Sequence, residues 1–562
     1  MRHKKITITV AALLIVSTLP KTLPAREPLA DRWVYVSKNI ADDKQLAELM
    51  GLVDTAAAHG LNGVALSGGF DALDRQKAKY FENLEKLKAH CRARRIEIIP
   101  HMMSAGYGGG ILAHDPNLAE GLPVRNALFV VRGQQATLAA DPAVEIKNGD
   151  FERWKGDRLA EFAFHDQPGK ISFVDQSVCK DGRASIRFES FQNDPKYGHA
   201  RIMQNVKVHP YRAYVVSSWV KTQDLAGGDF RMQVLVGDRA LTHNDPRVPA
   251  TTDWRRVSVL FNSLGNSEVR VYAGVWGAQS GRFWIDGMKI EEVGLINVLR
   301  RPGTPVSVKS ETSGALYEET RDYEKIVDPR MRVYDSYHEP PPIRLTPNSR
   351  IQDGERLRVS WYHPVVIGNS QVTICMSEPK IHDIWRQNVE LVHQHLAAGK
   401  YFLSMDEIRA GGTCEACRAQ KKTMAEILGA CITKQYETIK AVNRDAEVYI
   451  WSDMLDPNHN AHDKYYLVEG DFTGSWSCIP KDMIVACWYC KIRNESLRHF
   501  SQLGFRTIAA AYYDGDDLEN CKGWLESVRA TPKGRGIMYT SWQNKYGLLA
   551  GFGDMLTEEA KK

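Results

Sequence analysis

The sequence has no basic face. Its 562 residues carry a formal charge of only +5, and Lys and Arg are interspersed with acids instead of gathering into a stripe, which argues against a nucleic-acid partner. No low-complexity or strongly biased tract interrupts it, so most of the chain should fold. Past the N-terminus no apolar run is long enough to cross a bilayer, which excludes a membrane-embedded body. A metalloenzyme signature is also missing. His393, His395, His459 and His462 fall on an expected helix or loop without a matching carboxylate triad, so neither a metal nor another cofactor is expected in the active site.

What the chain does contain begins with Arg2, His3, Lys4 and Lys5, an apolar run over 6–19, and small-residue ground near Ala25. That layout predicts a secretory signal peptide at 1–25, with an uncleaved anchor as the alternative. The expected product is secreted or periplasmic, with no membrane attachment after cleavage. Ten cysteines in an exported chain make disulfides possible. Cys414 and Cys417, and likewise Cys487 and Cys490, have the C-x-x-C spacing of half a four-cysteine zinc site. The interval between the pairs exceeds that of compact zinc ribbons, and Trp488 suits a sugar site better than a structural knuckle. Disulfides, free buried thiols and zinc all stay open, and no metal site is assigned.

A chain of 562 residues exceeds one core and predicts at least two domains. Its first part alternates apolar runs at 33–37, 63–67 and 96–101 with helical stretches at 43–59 and 77–94, the rhythm of a parallel sheet with right-handed crossovers. From 146 to 293 that rhythm gives way to short alternating runs between turn residues, the pattern of an antiparallel sandwich. It resumes after 383, with strands expected at 400–405, 447–451, 483–488, 507–512 and 536–540. Three strands before the insert and five after it predict an α/β fold, a (β/α)8 TIM-like barrel interrupted after its third strand by an antiparallel β-sandwich of jelly-roll type. The run at 356–361 is a candidate ninth strand. The expected division is 26–142 and 376–562 for the two parts of the barrel, 143–295 for the sandwich, and 296–375 for connecting hairpins and loops.

In such barrels the site lies at the C-terminal ends of the strands. There the sequence places Asp406, Glu407 and Arg409 after the fourth strand, Trp451 and Asp453 at the fifth, and Trp488 at the sixth. Tyr512, Tyr513 and Asp514 follow at the seventh, and Ser541, Trp542 and Gln543 at the eighth. Aromatic walls with carboxylates between them are what a pyranose requires, since indoles stack on its CH-rich faces while acids bind hydroxyls or move protons. A retaining enzyme with a protein nucleophile needs two carboxyls about 5–5.5 Å apart across the bond. Neighbours on one strand end diverge and do not supply that. Substrate-assisted hydrolysis does not need it, because a 2-acetamido oxygen attacks the anomeric carbon while one acid protonates the leaving oxygen.

This order of motifs resembles the β-N-acetylhexosaminidases of glycoside hydrolase family 20 and their barrel relatives. The resemblance covers the barrel from Lys400 onward. It implies Glu407 as general acid, Asp406 as the carboxylate that orients the acetamido group, and Tyr513 as a donor to the acetamido oxygen. Asp514 or Asp453 would bind hydroxyls or the acetamido group, and Trp451, Trp488 and Trp542 would line the sugar pocket; Arg409 and Tyr512, at the same strand ends, are further candidate substrate contacts. The sequence departs from the family at Gln543, where an acid is common, and over 402–405, where Phe-Leu-Ser-Met replaces His-x-Gly-Gly. The insert resembles jelly-roll carbohydrate-binding modules through its stretches 148–152, 214–221 and 283–292. Trp219, Tyr272 and Trp276 are its candidate stacking rings. The expected partner is an oligo- or polysaccharide. Two rivals stay open: a retaining glycosidase with Asp453 or Asp514 as nucleophile, and a glycan-binding protein without catalysis.

Overall fold

The computed structural model describes residues 27–561 except 195, 336 and 369; the expected signal peptide at 1–25 lies outside the described residues. Eight parallel strands close a barrel in chain order: β1 Asp31–Ser37, β2 Gly63–Ser67, β3 Glu97–Met102, β4 Lys400–Leu403, β5 Glu447–Trp451, β6 Ile484–Cys487, β7 Arg506–Tyr512 and β8 Gly534–Thr540. Closure comes from β1, whose Trp33 lies opposite Gly63 of β2 on one side and Met538 of β8 on the other.

Strand alternation sends every second side chain inward. The barrel interior is therefore built from Trp33, Tyr35, Ala65, Ile99, Phe402, Tyr449, Trp451, Ile484, Ala486, Trp488, Ile508, Ala510 and Met538. Interiors of this kind are normally filled by branched aliphatics. Here large rings are accommodated by small residues facing them. A Cβ at Gly63 would lie 2.6 Å from the Trp33 ring, so only glycine fits there. The N-terminal mouth is closed by charge. Asp31 accepts from Tyr449 Oη at 2.8 Å and from Arg535 Nε at 2.6 Å, and Arg535 also pairs with Glu447.

The outer layer contains α1 Asp43–Ala58, α2 Ala78–Ala93, α3 Pro379–Leu396, α4 Met424–Val442, α5 Arg493–Gln502, α6 Glu519–Ala530 and α7 Leu549–Lys561. In α1 the Asp42 side chain caps Gln45 N, and Leu46, Leu49, Val53 and Ala56 face the sheet at helical spacing. A capping box joins Thr423 to Glu426 at the start of α4. Between β5 and β6 the described chain makes no α-helix, only single 3₁₀ turns at Asp453–Leu455 and Ser475–Ser477 and a short strand Leu467–Val468 that pairs with Ala410–Gly411. This crossover forms part of the site.

The insert forms two five-stranded antiparallel sheets packed face to face. Phe188 stacks on Phe283 at 4.6 Å, and Ile186, Val216 and Ile285 share one apolar cluster with Ile202, Val234 and Val271 of the other sheet. The remaining strands depart from the sequence reading. Residues 296–375, expected as connecting hairpins and loops, contribute Ser307–Ser310, Leu316–Tyr317, Ile343–Arg344 and Arg356–His363 to a six-stranded sheet with Leu122–Arg132 and Gln135–Leu138. The candidate ninth barrel strand belongs to this sheet, where Trp361 is buried edge-on against Phe129. The first barrel portion therefore does not run to 142. The two pairings that join 122–138 to 343–363 bridge the whole insert and leave no local hairpin signal, which is why the sheet as a unit was not legible. No helix among the described residues is long and apolar enough to cross a membrane.

Because every strand of the two five-stranded sheets finds its partners inside 143–295, that segment expressed alone should melt cooperatively. Phe283→Ala in it should cost about 3–5 kcal/mol in a denaturant titration. A non-cooperative melt of the isolated piece would show the boundary to be misplaced.

Candidate active site

The C-terminal end of the barrel opens into a cavity of about 560 Å³. Asp406, Trp451 and Trp542, expected from the strand-end pattern, line it together with Tyr35, Asp71, His101 and Tyr107. The aromatic wall is continuous. Trp542 lies 5.6 Å from Tyr35, 5.7 Å from Trp451 and 6.1 Å from Trp488, and Trp488 stacks on Tyr513 at 6.1 Å. Trp542 and Tyr513 are exposed, which leaves their faces free for a ligand.

The order of the carboxylates is set by Asp453, which is fully buried. Its Oδ2 accepts from Glu407 N at 2.9 Å and from Asn460 Nδ2 at 2.9 Å, and its Oδ1 accepts from Trp488 Nε1 at 3.4 Å. Burial raises the proton affinity of Asp453, but its partners here are all donors, so its hydrogen bonds favour the charged form. Asp406 has one side-chain partner, Ser404 Oγ at 3.0 Å. Burial, with the charges of Asp453 and Glu407 alongside, pushes Asp406 up to about 7. Burial and the two neighbouring charges thus favour the protonated form of Asp406.

Glu407 is held differently. Its Oε1 pairs with Arg409 Nη2 at 2.7 Å, and its Oε2 accepts from the Tyr107 hydroxyl. Arg409 donates to Gln371 Oε1 and lies over the Tyr466 ring, while Gln371 Nε2 donates to Glu407 O at 2.6 Å. Glu407 has a φ of +50°, a left-handed conformation unusual for a side-chain-bearing residue and frequent at functional sites. A Cβ at Gly106 would lie 2.1 Å from Asp406 O, so glycine is required where that loop passes the pair.

Two expected contacts lie elsewhere. Tyr512, Tyr513 and Asp514 are three consecutive left-handed residues. Strand alternation breaks there, so Tyr512 leaves the inward series of Ile508 and Ala510 and stacks on Tyr539 at 4.1 Å in the helix-side core. Asp514 is not free to bind hydroxyls. Its carboxylate accepts from Ser541 Oγ, Trp542 N and Gln543 N at 2.6–3.2 Å, and so fixes the turn that presents Trp542.

Sequence reasoning missed Tyr35, Asp71, His101, Tyr107 and Gln371. Of these, His101 was reachable by applying the strand-end pattern to β3. It accepts or donates at 2.8 Å with Trp451 Nε1, and because the indole is a donor, His101 Nε2 accepts; burial pushes His101 down to about 3, keeping it neutral. Asp71 receives Met103 N and Ser104 N and fixes the loop after β3. Tyr107 and Gln371 sit in irregular chain with no periodic signal. His459, in the loop expected at the pocket edge, stacks on Tyr489 at 4.6 Å and packs against Trp488.

Neither a known protein family nor a curated protein matches the chain. Among solved structures it is similar to a β-N-acetylhexosaminidase, with 10% identity over 96% of this chain and 72% of that one and a TM-score of 0.38. It is also similar to a rhamnosidase from Novosphingobium sp. PP1Y, with 10% identity over 96% of this chain and 59% of that one and a TM-score of 0.36. Over 26% of its length it is similar to TmCBM61, solved with β-1,4-galactotriose, at 17% identity, 97% of that chain and a TM-score of 0.20.

The raised affinity of Asp406 has a thermodynamic consequence. The folded protein holds a proton on a carboxyl that releases it near the ordinary 3.8 when unfolded. Folded and unfolded states therefore differ in bound protons between about pH 4 and about pH 7, and stability falls as pH rises through that window before levelling. Asp406→Asn removes the ionisation. It should raise the melting temperature near neutral pH by an amount equivalent to on the order of 2 kcal/mol, with little gain near pH 4. Equal gains at both pH values would count against a protonated Asp406.

Proposed function

We propose that this protein is a glycoside hydrolase acting on a 2-acetamido pyranoside by a retaining, substrate-assisted route in the barrel cavity. The observation that carries the reading is a carboxyl with a proton affinity near 7 buried against an aromatic-walled cavity. A general acid works best with its affinity close to the working pH.

Participation of the substrate is supported by how the other acids are occupied. Both carboxylate oxygens of Asp453, and both of Asp514, already receive protein donors. Neither is placed as a free nucleophile on the far side of the sugar, as the rival reading would need. The acetamido oxygen supplies the attack instead. As the glycosidic C–O bond breaks, a proton passes to the leaving oxygen, and water later opens the oxazolinium with retention.

The adjacent pair divides this work by charge. Asp406, which keeps its proton, is the donor, and Glu407, ion-paired with Arg409, is the carboxylate that steadies the positive charge developing on the sugar. This exchanges the roles expected from the family resemblance. The resemblance-based assignment, Glu407 as acid and Asp406 as orienting carboxylate, is favoured by one observation: Glu407 accepts from the hydroxyl of exposed Tyr107, nearer solvent than the buried Asp406.

Hydrolysis of paired aryl and alkyl glycosides with and without a 2-acetamido group tests the function, and turnover of the acetamido members alone is expected. Asp406→Asn should lower kcat on unactivated glycosides by roughly 10²- to 10⁴-fold and much less on aryl ones. In the wild type, kcat/KM should fall as pH rises through about 7, where Asp406 loses its proton. Loss that depends on the leaving group in Glu407→Gln, not in Asp406→Asn, would restore the resemblance-based roles. No turnover on any member would leave a glycan-binding protein.

A further inference from the structure

Far from the sugar cavity in chemistry, though joined to it by one loop, four buried side chains converge. Cys375 Sγ lies 3.5 Å from Cys414 Sγ and 3.8 Å from Cys417 Sγ. Glu120 Oε2 lies 3.8 Å from Cys414 Sγ and 3.6 Å from Cys417 Sγ. All four ligand atoms fall within 4.8 Å of one another. The C-x-x-C half at 414–417 is thus completed not by Cys487 and Cys490, which belong to β6 and the turn after it, but by a cysteine and a glutamate remote in sequence.

These separations are informative. A disulfide would bring two sulfurs to about 2.05 Å, and all ten cysteines are free. A tetrahedral ion with metal–sulfur bonds of about 2.3 Å and a metal–oxygen bond of about 2.0–2.2 Å has edges of about 3.5–3.8 Å between its ligands. The four separations above, 3.5 to 3.8 Å, fall on that range.

Glu120 is oriented as a ligand. Its Oε1 accepts from Thr413 N at 3.2 Å, Thr413 Oγ1 at 3.1 Å and Cys414 N at 3.2 Å, which fixes the carboxylate and leaves Oε2 facing two sulfurs. Without an ion, that fully buried oxygen has only weak S–H donors, a poor return for desolvating a carboxylate. With one, the outer oxygen is held by the Thr413 and Cys414 donors in the usual manner of a metal carboxylate. Arg301 lies against Cys414 and Glu120, and its positive charge together with a divalent ion offsets most of the charge of three thiolates and a carboxylate.

We propose that Glu120, Cys375, Cys414 and Cys417 form a closed, structural site for a thiophilic divalent cation of the zinc class. Binding releases the thiol protons to solvent. The site ties three remote stretches together. Glu120 stands just before the strand Leu122–Arg132, Cys375 just before α3, and Cys414 and Cys417 end the loop that begins at Asp406 and Glu407. It thereby anchors the far end of the catalytic loop to the points where the chain leaves the barrel and returns to it. The inference does not depend on the glycosidase reading.

The test uses the full chain, expressed with zinc supplied and purified under reductant. Elemental analysis should find about one zinc per chain. Cys375→Ser and Cys417→Ser should each lose it, and Cys487→Ser should keep it. Refolding with Co²⁺ in place of zinc should give the visible and near-ultraviolet bands of tetrahedral cobalt–thiolate ligation. This wild-type measurement decides the matter even if the variants do not fold. Wild-type protein that is metal-free from zinc-replete cells with every thiol titratable, a Cys375–Cys414 disulfide in peptide maps of a sample alkylated before any reductant is added, or zinc that persists in Cys417→Ser would each overturn the proposal.

Discussion

The order of the open end of the barrel rests on one buried carboxylate. Asp453 receives a backbone N–H from the loop after β4, a side-chain amide from its own loop and an indole N–H from the end of β6. One group thereby fixes three adjacent rims of the barrel. Its charge is stabilised by those donors, and the same charge disfavours ionisation of Asp406 next to it. Positioning and proton affinity are thus two effects of one placement, and neither can be altered without the other.

A second constraint is the size of the rings inside the barrel. Trp33, Tyr35, Tyr449, Trp451 and Trp488 occupy positions that aliphatic residues usually fill. The inward column therefore ends in aromatic surface at the open mouth, and the wall of the cavity is a continuation of the core. Tyr35 and Trp451 belong to both, packing against the interior while lining the cavity.

The barrel was legible in the sequence because each of its strands is a local apolar run with a helix or loop beside it, and all eight expected runs became barrel strands. The acids and indoles at 406–407, 451–453, 488 and 542 were legible for the same reason, since their position follows from where a strand ends. The six-stranded sheet was not. Arg356–His363 pairs with Leu122–Arg132 across the whole insert, and pairing at that distance depends on tertiary packing instead of local pattern. Tyr512 misled because alternation predicts an inward ring, and only its φ of +85° reveals the break. Cys375 and Glu120 carry no spacing signal at all; nothing in a one-dimensional reading joins them to Cys414 and Cys417.

The position of the insert also dictates the order in which the molecule can be completed. During synthesis the first three barrel strands emerge with nothing to close against, because β4 follows about three hundred residues later and β1 must wait for β8 at the opposite end of the chain. The sandwich, whose strands pair within themselves, can finish first. The barrel then closes as a late event of high contact order, slow by its topology and exposed to edge pairing until the last strand arrives.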